Sequence, residues 1–544
     1  MTPANSFIDR AQHARFLPLL LTAVVLAIVL VPVWSVTVPP LNDYLNHLAR
    51  MFIIVHLDSD PYLQKMYELH TALVPNLAID AIVPLLAQIM PLYDAGRVFV
   101  SLILVLWVGG PIVLHYALHN RFSLWPLIAG FIAYNASFQW GFANYVFGAG
   151  LMFFALAAWI RSEGMAPVMR LTLFTVVTVA LYFSHLLAVF LYGLAIVAYE
   201  VGQARQVLGQ PGAAWLRRWA PAAGQFVVPA LCLFFVSPSG KHLDLATLID
   251  LEVRITYLSR FVYALRSPAW MEQGIVDYVA VAFLYVVIAV GFATHRLIVH
   301  RRFLTVLIGV GVPTAALVFL RYNLDNVLLH VRFMPVFAAL LVAGTSWRPS
   351  PSPRLLAATF GVGAALFVVR MALLTNQWSF YDRQFDEFRQ ALSVVPRGSA
   401  VFEAMVHDPV VQPPHLHGNG EYPYEFMTEL AIIERSAFSP LLFIFRDLQM
   451  VRMTPAYRPI AAGDMDPLDW EVLAAHAVHS GPPQHFQDGW PAHFDYVVAL
   501  HPAGRDESLK QWLTPVRVGS FFTIFRVVKS AEVAQPGTDA KDKP

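Results

Sequence analysis

Charge is what this chain has least of. Only 13% of its 544 residues are Asp, Glu, Lys or Arg, against 57% hydrophobic residues and a mean hydropathy of +0.56. A soluble domain carries about 25% charged residues to keep its surface in water, so that class is excluded and the chain is a polytopic membrane protein. The few charges balance, 37 basic against 36 acidic, and no basic tail or basic-aromatic stripe occurs, which removes nucleic acid as a partner. Cysteine is nearly absent: Cys232 stands alone in an apolar run, forms no intrachain disulfide, and serves as a small packing residue. Also missing are a phosphate-binding glycine loop, a dinucleotide fingerprint, a nucleophile elbow and any internal or inverted repeat.

What is present is a series of apolar runs. Runs near the roughly 20 residues needed to span a bilayer lie at 16–36, 98–117, 121–138, 141–160, 169–184, 185–202, 219–237, 276–295, 303–321, 328–346 and 355–375. Arg10 and Arg15 precede the first, which is too long for a signal-peptide core and reads as an uncleaved span with its N-terminus in the cytoplasm. Arginines then fall in every second connection: Arg121; Arg161 and Arg170; Arg205, Arg217 and Arg218; Arg296, Arg301 and Arg302; Arg348 and Arg354. The stretch 76–93, with Asp80, Pro84 and Pro91, would break that parity and is assigned to the outer membrane interface.

The sequence therefore predicts a mainly α polytopic protein of about 11 transmembrane helices in the plasma (inner) membrane, residues 1–375. Interfacial helices occupy the first outer loop, 37–97, and a second outer loop covers 238–275. A small C-terminal α/β domain, 376–530, lies outside (periplasmic), with strands at 400–405, 494–500 and 519–528. The tail 531–544 lacks apolar pattern and reads as disordered.

One polar cluster follows the first span: Pro40-Leu41-Asn42-Asp43-Tyr44-Leu45-Asn46-His47-Leu48-Ala49-Arg50. In a helix from Asp43, the residues Asp43, Asn46, His47 and Arg50 share one face, while Tyr44, Leu45 and Leu48 suit a membrane surface. Asp43 is either a helix cap or a functional carboxylate, acting as a general base or as a metal ligand, with His47 as its neighbour. The second option makes a divalent metal ion the one cofactor these residues suggest. On the same expected side lie Asp80, Trp140, Asn144, Tyr145 and His185, the last a helix cap or an interhelical hydrogen-bonding residue. Lys241, Arg254, Arg260 and Arg266 crowd an outer loop where positive charge should be depleted; they either bind an anion or pair with Asp244, Asp250, Glu252 and Glu272. Arg321 and Arg332 sit at outer ends of spans. His407, His415, His417, His476 and His479 lack zinc-ligand spacing and read as surface residues.

With Asp43 at the exit of the first span, the run Trp140-Gly141-Phe142-Ala143-Asn144-Tyr145 and the motif Arg332-Phe333-Met334-Pro335, the chain resembles the GT-C class of membrane glycosyltransferases. The similarity is to the bacterial polyprenyl-phosphate-sugar-dependent kind that includes the protein mannosyltransferase-like and aminoarabinose transferase-like families. The resemblance implies transfer of a sugar from a polyprenyl-phosphate donor to an acceptor hydroxyl at the outer face. Asp43 would be the catalytic base, with His47 beside it. Asn46, Arg50, Asp80, Trp140, Asn144, Tyr145 and His185 would shape the pocket. Lys241, Arg254, Arg260, Arg266, Arg321 and Arg332 are the candidate donor-phosphate ligands. Two rival readings are a transporter or flippase for a lipid-linked substrate and an inactive scaffold. The first is disfavoured by spans poor in ionisable residues; the second rests on Tyr44 standing where many relatives carry a second acid.

Overall fold

The computed structural model describes residues 3–70, 74–204, 212–236, 258–319, 328–348, 353–405, 423–444, 449–461, 468–478, 485–500 and 509–529. Lys241, Arg254, Arg321, His407, His415, His417 and His479 lie outside them, as does the C-terminal tail, and Arg260 is described only as part of a helix backbone. The chain forms two compact units. The first comprises Met1–Thr37, Ala72–Ala81 and Arg97–Trp378, and the second Val38–Thr71, Ile82–Gly96 and Ser379–Pro544.

Among the described residues, eight helices are long and apolar enough to cross a membrane: Phe16–Trp34, Leu92–His119, Ala143–Arg161, Pro167–Ser184, Leu186–Gln203, Ile275–Ala293, Arg301–Phe319 and Ala358–Val394. A pair bent by 41°, Ala214–Gly224 and Val227–Phe235, makes a ninth if counted as one span, and Leu329–Gly344 is apolar but only 16 residues long. The helix Ala143–Arg161 is central in the first unit. A Cβ on Gly150 would come within 2.7 Å of Leu106, and one on Gly148 within 2.8 Å of Ala188, so these glycines let the neighbouring helices approach closely.

The run 121–138, expected as a span, is instead three short helices, Trp125–Ile128, Ala129–Ala133 and Ala136–Gln139. Asn135 breaks it: its Oδ1 accepts from the Phe138 backbone N–H at 3.1 Å and its Nδ2 donates to the Ile132 carbonyl at 2.9 Å. The apolar character comes from burial inside protein. The stretch 76–93 contains the nine-residue helix Ala78–Leu86, too short to span.

In the second unit a five-stranded sheet runs in the order Leu468–Asp469, Val401–Met405, Tyr496–Leu500, Phe522–Val527, Leu513–Val518; the first three strands are parallel and the last two pair antiparallel. Tyr67–Leu69 pairs antiparallel with Val451–Met453. The helix Tyr44–His56 was expected against a membrane surface, but Ala49 and Ile53 belong to the same core as Phe402, Phe438, Val497 and Trp490. Its apolar side is covered by protein.

Candidate active site

In the second unit, the start of the Tyr44–His56 helix is fastened to residues 425–443. Asn42 Nδ2 donates to Glu425 Oε2 at 2.8 Å. Asn46, expected in the pocket, spends both ends of its amide on backbone: Nδ2 donates to the Leu441 carbonyl at 2.7 Å, and Oδ1 accepts from the Phe443 N–H at 2.6 Å. Asn46 is a clamp. Asp43 stands at the N-cap position, half-buried, and its side chain makes no capping hydrogen bond. That separates it from Asp60, whose Oδ1 caps the next helix by accepting from the Tyr62 N–H at 3.0 Å.

His47 and Arg50 are buried one helical turn apart, with Arg50 Nη2 3.1 Å from His47 Nδ1. A guanidinium only donates, so Nδ1 is the acceptor and the imidazole proton sits on Nε2. His47 is thereby held as a hydrogen-bond donor through Nε2, its ring edge-on to Phe443 at 6.0 Å. Behind this segment lie two buried carboxyls the sequence did not single out. Glu403 bonds Thr428, and Glu429 Oε1 accepts from Ser439 Oγ at 2.6 Å. Burial pushes Glu403 well above the usual carboxylate range, against the pull of Thr428, with Glu429 and Glu425 adding to the rise. Burial lifts Glu429 to about 8, against the pull of Ser439.

Between about 4.5 and about 8, therefore, folded Glu429 keeps a proton that the unfolded chain has released, and stability falls as pH rises through that window. The slope is up to about 1.4 kcal/mol per pH unit. Glu429→Gln, neutral throughout, should melt above wild type at pH 8 and close to it at pH 5. A variant melting lower at both would mean that an ionised carboxylate is needed there.

In the first unit, aromatic rings and two arginines assemble around the start of Leu329–Gly344. The Arg332 guanidinium carbon lies 3.9 Å from the centroid of Phe142 and 5.3 Å from that of Tyr145. Tyr145 Oη donates to the Arg332 carbonyl at 2.6 Å, and its ring meets His185 at 5.3 Å. His185 caps Leu186–Gln203, its Nδ1 accepting from the Leu187 N–H at 3.0 Å, so the cap alternative describes its contact. Trp140 Nε1 donates to Tyr263 Oη. Arg266 stacks between Tyr263 and Trp270, 4.6 and 3.8 Å from the ring centroids. Glu272 lies in the field of Arg266; burial raises it to about 7, partly offset by that arginine.

Asn144 turns out, like Asn46, to hold backbone: Oδ1 accepts from the Ile79 N–H at 2.8 Å and Nδ2 donates to the Asn76 carbonyl at 2.6 Å. It fixes the entry of Ala78–Leu86, in whose first turn Asp80 is buried. The loop carrying Trp270 is held by a buried ion pair that the sequence reading missed. Arg370 Nε donates to Asp277 Oδ1 at 3.2 Å, and its terminal nitrogens donate to the carbonyls of Phe131, Tyr134 and Ala269 at 3.0–3.1 Å. Asp277 Oδ2 accepts from the N–H groups of Met271 and Gln273, both at 2.8 Å. Both side chains are fully buried.

Among the described residues, no group of three or more His, Cys, Asp or Glu has the geometry to hold a metal ion. His476 pairs with Asp488 at 3.3 Å.

No protein-family profile and no curated protein matches the chain. Among the solved structures similar to it are the following two. One is ArnT from Cupriavidus metallidurans bound to undecaprenyl phosphate, at TM-score 0.44 and 12% identity over 95% of this chain and 99% of that one. The other is the arabinofuranosyltransferase AftD from mycobacteria, at TM-score 0.46 and 16% identity over 94% of this chain and 40% of that one.

Proposed function

We propose that the chain is a membrane glycosyltransferase that moves a sugar from a polyprenyl-phosphate donor to an acceptor hydroxyl at the outer face of the membrane. The observation that carries the reading is the placement of Asp43: a half-buried carboxylate at a helix start, one turn from a buried His47–Arg50 pair. Asp43 takes the proton of the acceptor hydroxyl as its oxygen bonds to the anomeric carbon. The bond from that carbon to the donor phosphate oxygen breaks, and its electron pair leaves with the polyprenyl phosphate. His47, donating through Nε2, orients a polar group of a substrate.

The departing phosphate gains negative charge and needs cations in place beforehand. Arg332 and Arg266 are assigned that role, because stacking on aromatic rings orders each guanidinium, and a planar, permanently charged guanidinium matches the geometry of a phosphate. Lys241, Arg254, Arg260 and Arg321 remain further candidates for it.

A hydrogen bond to a charged group contributes about 1.5–3 kcal/mol, or roughly 10- to 100-fold in affinity. Arg332→Gln or Arg266→Gln should therefore weaken binding of a polyprenyl-phosphate sugar by about that factor, with Arg332→Lys losing less because it keeps the charge. Titration of donor into detergent-purified variants checks it. Wild-type affinity in both Gln variants would place the phosphate on other residues.

A further inference from the structure

Along Leu329–Gly344, Arg332 stands near the start. Some 14 residues on, about 20 Å at the rise of an α-helix, the segment that follows the helix enters a different polar region. There Thr345–Trp347 pairs antiparallel with Leu297–Val299, with Ser346 opposite Ile298. This short ladder and the hydrogen bond from the His300 N–H to the Gly344 carbonyl, 2.8 Å, fix the positions of His300 and Ser346. A cavity of about 390 Å³ opens beside them, its polar lining supplied by His119, His300, Arg301, Arg302 and Ser346.

Four features of this cavity point to an anion. No acidic residue is among the described residues lining it, and two adjacent guanidiniums are. His119 Nε2 and His300 Nδ1 are buried without a hydrogen-bond partner among the described residues, a costly state for ring nitrogens that a ligand would relieve. The two rings are already arranged, His119 edge-on to His300 at 5.0 Å and stacked on His115 at 4.2 Å. Finally, Arg302 Nη1 is 3.3 Å from Glu163, which steadies the side chain while leaving its other donors available. Burial first, and the Arg302 charge second, pushes the His300 imidazole below its usual range. A metal ion would be repelled by the Arg301 and Arg302 guanidiniums.

We propose that this cavity is a second phosphate-binding site, separate from the Arg332–Arg266 region, that takes a phosphate oxyanion, borne either by a lipid head group or by free phosphate, on Arg301, Arg302, His119, His300 and Ser346. It is independent of the transfer chemistry, so failure here leaves the reading of Asp43 untouched.

The test uses the full chain in a phosphate-free maltoside micelle. Thermal unfolding is followed against sodium phosphate, with sodium chloride at equal ionic strength as the control. In parallel, nanodiscs of phosphatidylcholine are compared with nanodiscs containing phosphatidic acid. A saturable rise in Tm with phosphate beyond chloride is expected, lost in the variant Arg301→Gln with Arg302→Gln and reduced in His300→Asn and Ser346→Ala. If phosphatidic acid gives the larger shift, at least tenfold more potent by concentration, the site takes a lipid head group; if inorganic phosphate does as well, it takes free phosphate. If neither probe shifts Tm beyond its control, or the shift persists in the double variant, the proposal is overturned. Should the double variant fail to fold, the wild-type comparison and Ser346→Ala decide it.

Discussion

Asp43→Asn is expected to leave a folded, membrane-inserted protein that binds donor and transfers almost no sugar. The substitution keeps the size of the side chain and one oxygen but removes the charge and the basicity. A helix cap would barely register it, since Asn caps as well as Asp and the change is worth about 1 kcal/mol or less. The structure sharpens that contrast, because the Asp43 side chain makes no capping hydrogen bond to lose. Removal of a general base costs on the order of 100-fold or more in rate. The measurement is sugar transfer per folded molecule, with donor binding measured on the same preparation. Near-normal transfer would remove Asp43 from the mechanism and favour the transporter or scaffold readings.

Arg370→Met is expected to be the most damaging substitution for stability. It leaves the Asp277 carboxylate buried without its cation and strands three carbonyls, of Phe131, Tyr134 and Ala269. Breaking a buried pair from one side costs about 3–5 kcal/mol. Replacing both partners, Arg370→Met with Asp277→Asn, should recover only part of this, because the carbonyls still lack donors. Thermal unfolding in detergent reads the loss, and donor affinity should fall with it, since the pair holds the loop that carries Trp270 against Arg266. A single variant within about 1 kcal/mol of wild type would show that water or a neighbouring side chain takes the arginine's place.

The same pair leaves a signal in the sequence. Arg370 is the one charge in the apolar run 355–375, and Asp277 opens the run 276–295. An ionisable residue inside such a run is itself a signal of a buried pair. Likewise Tyr263 and Arg266 are three apart, the spacing that brings a guanidinium beside a ring on one helical face, whereas Trp270 lies beyond the end of the helix and reaches Arg266 through the turn Ser267–Ala269. Strands near 401–405, 496–500 and 522–527 were visible from their apolar runs. Leu513–Val518 was hidden by Pro515, which is tolerated because that strand forms the sheet edge and is irregular between Pro515 and Arg517.

Other features had no local signal. The pairing of Tyr67–Leu69 with Val451–Met453 joins segments more than 380 residues apart, and only tertiary structure reveals it. Composition could not say that the apolar side of Tyr44–His56 meets Phe402 and Trp490, because a protein core and a membrane surface select the same residues. Asn46 and Asn144 looked like pocket residues for a related reason: an amide that clamps backbone and one that binds a substrate are the same letter.

Native mass spectrometry of the protein purified from its own membranes, in wild-type, Asp43→Asn and Arg332→Gln forms, tests donor binding and sugar transfer most directly. The wild type should carry a lipid of polyprenyl-phosphate mass. The Asp43→Asn protein should retain that lipid with its sugar still attached, because binding is intact and transfer is not, and the Arg332→Gln protein should have lost most of it. No polyprenyl phosphate in any of the three, or sugar-free carrier on Asp43→Asn at the wild-type level, would contradict the account.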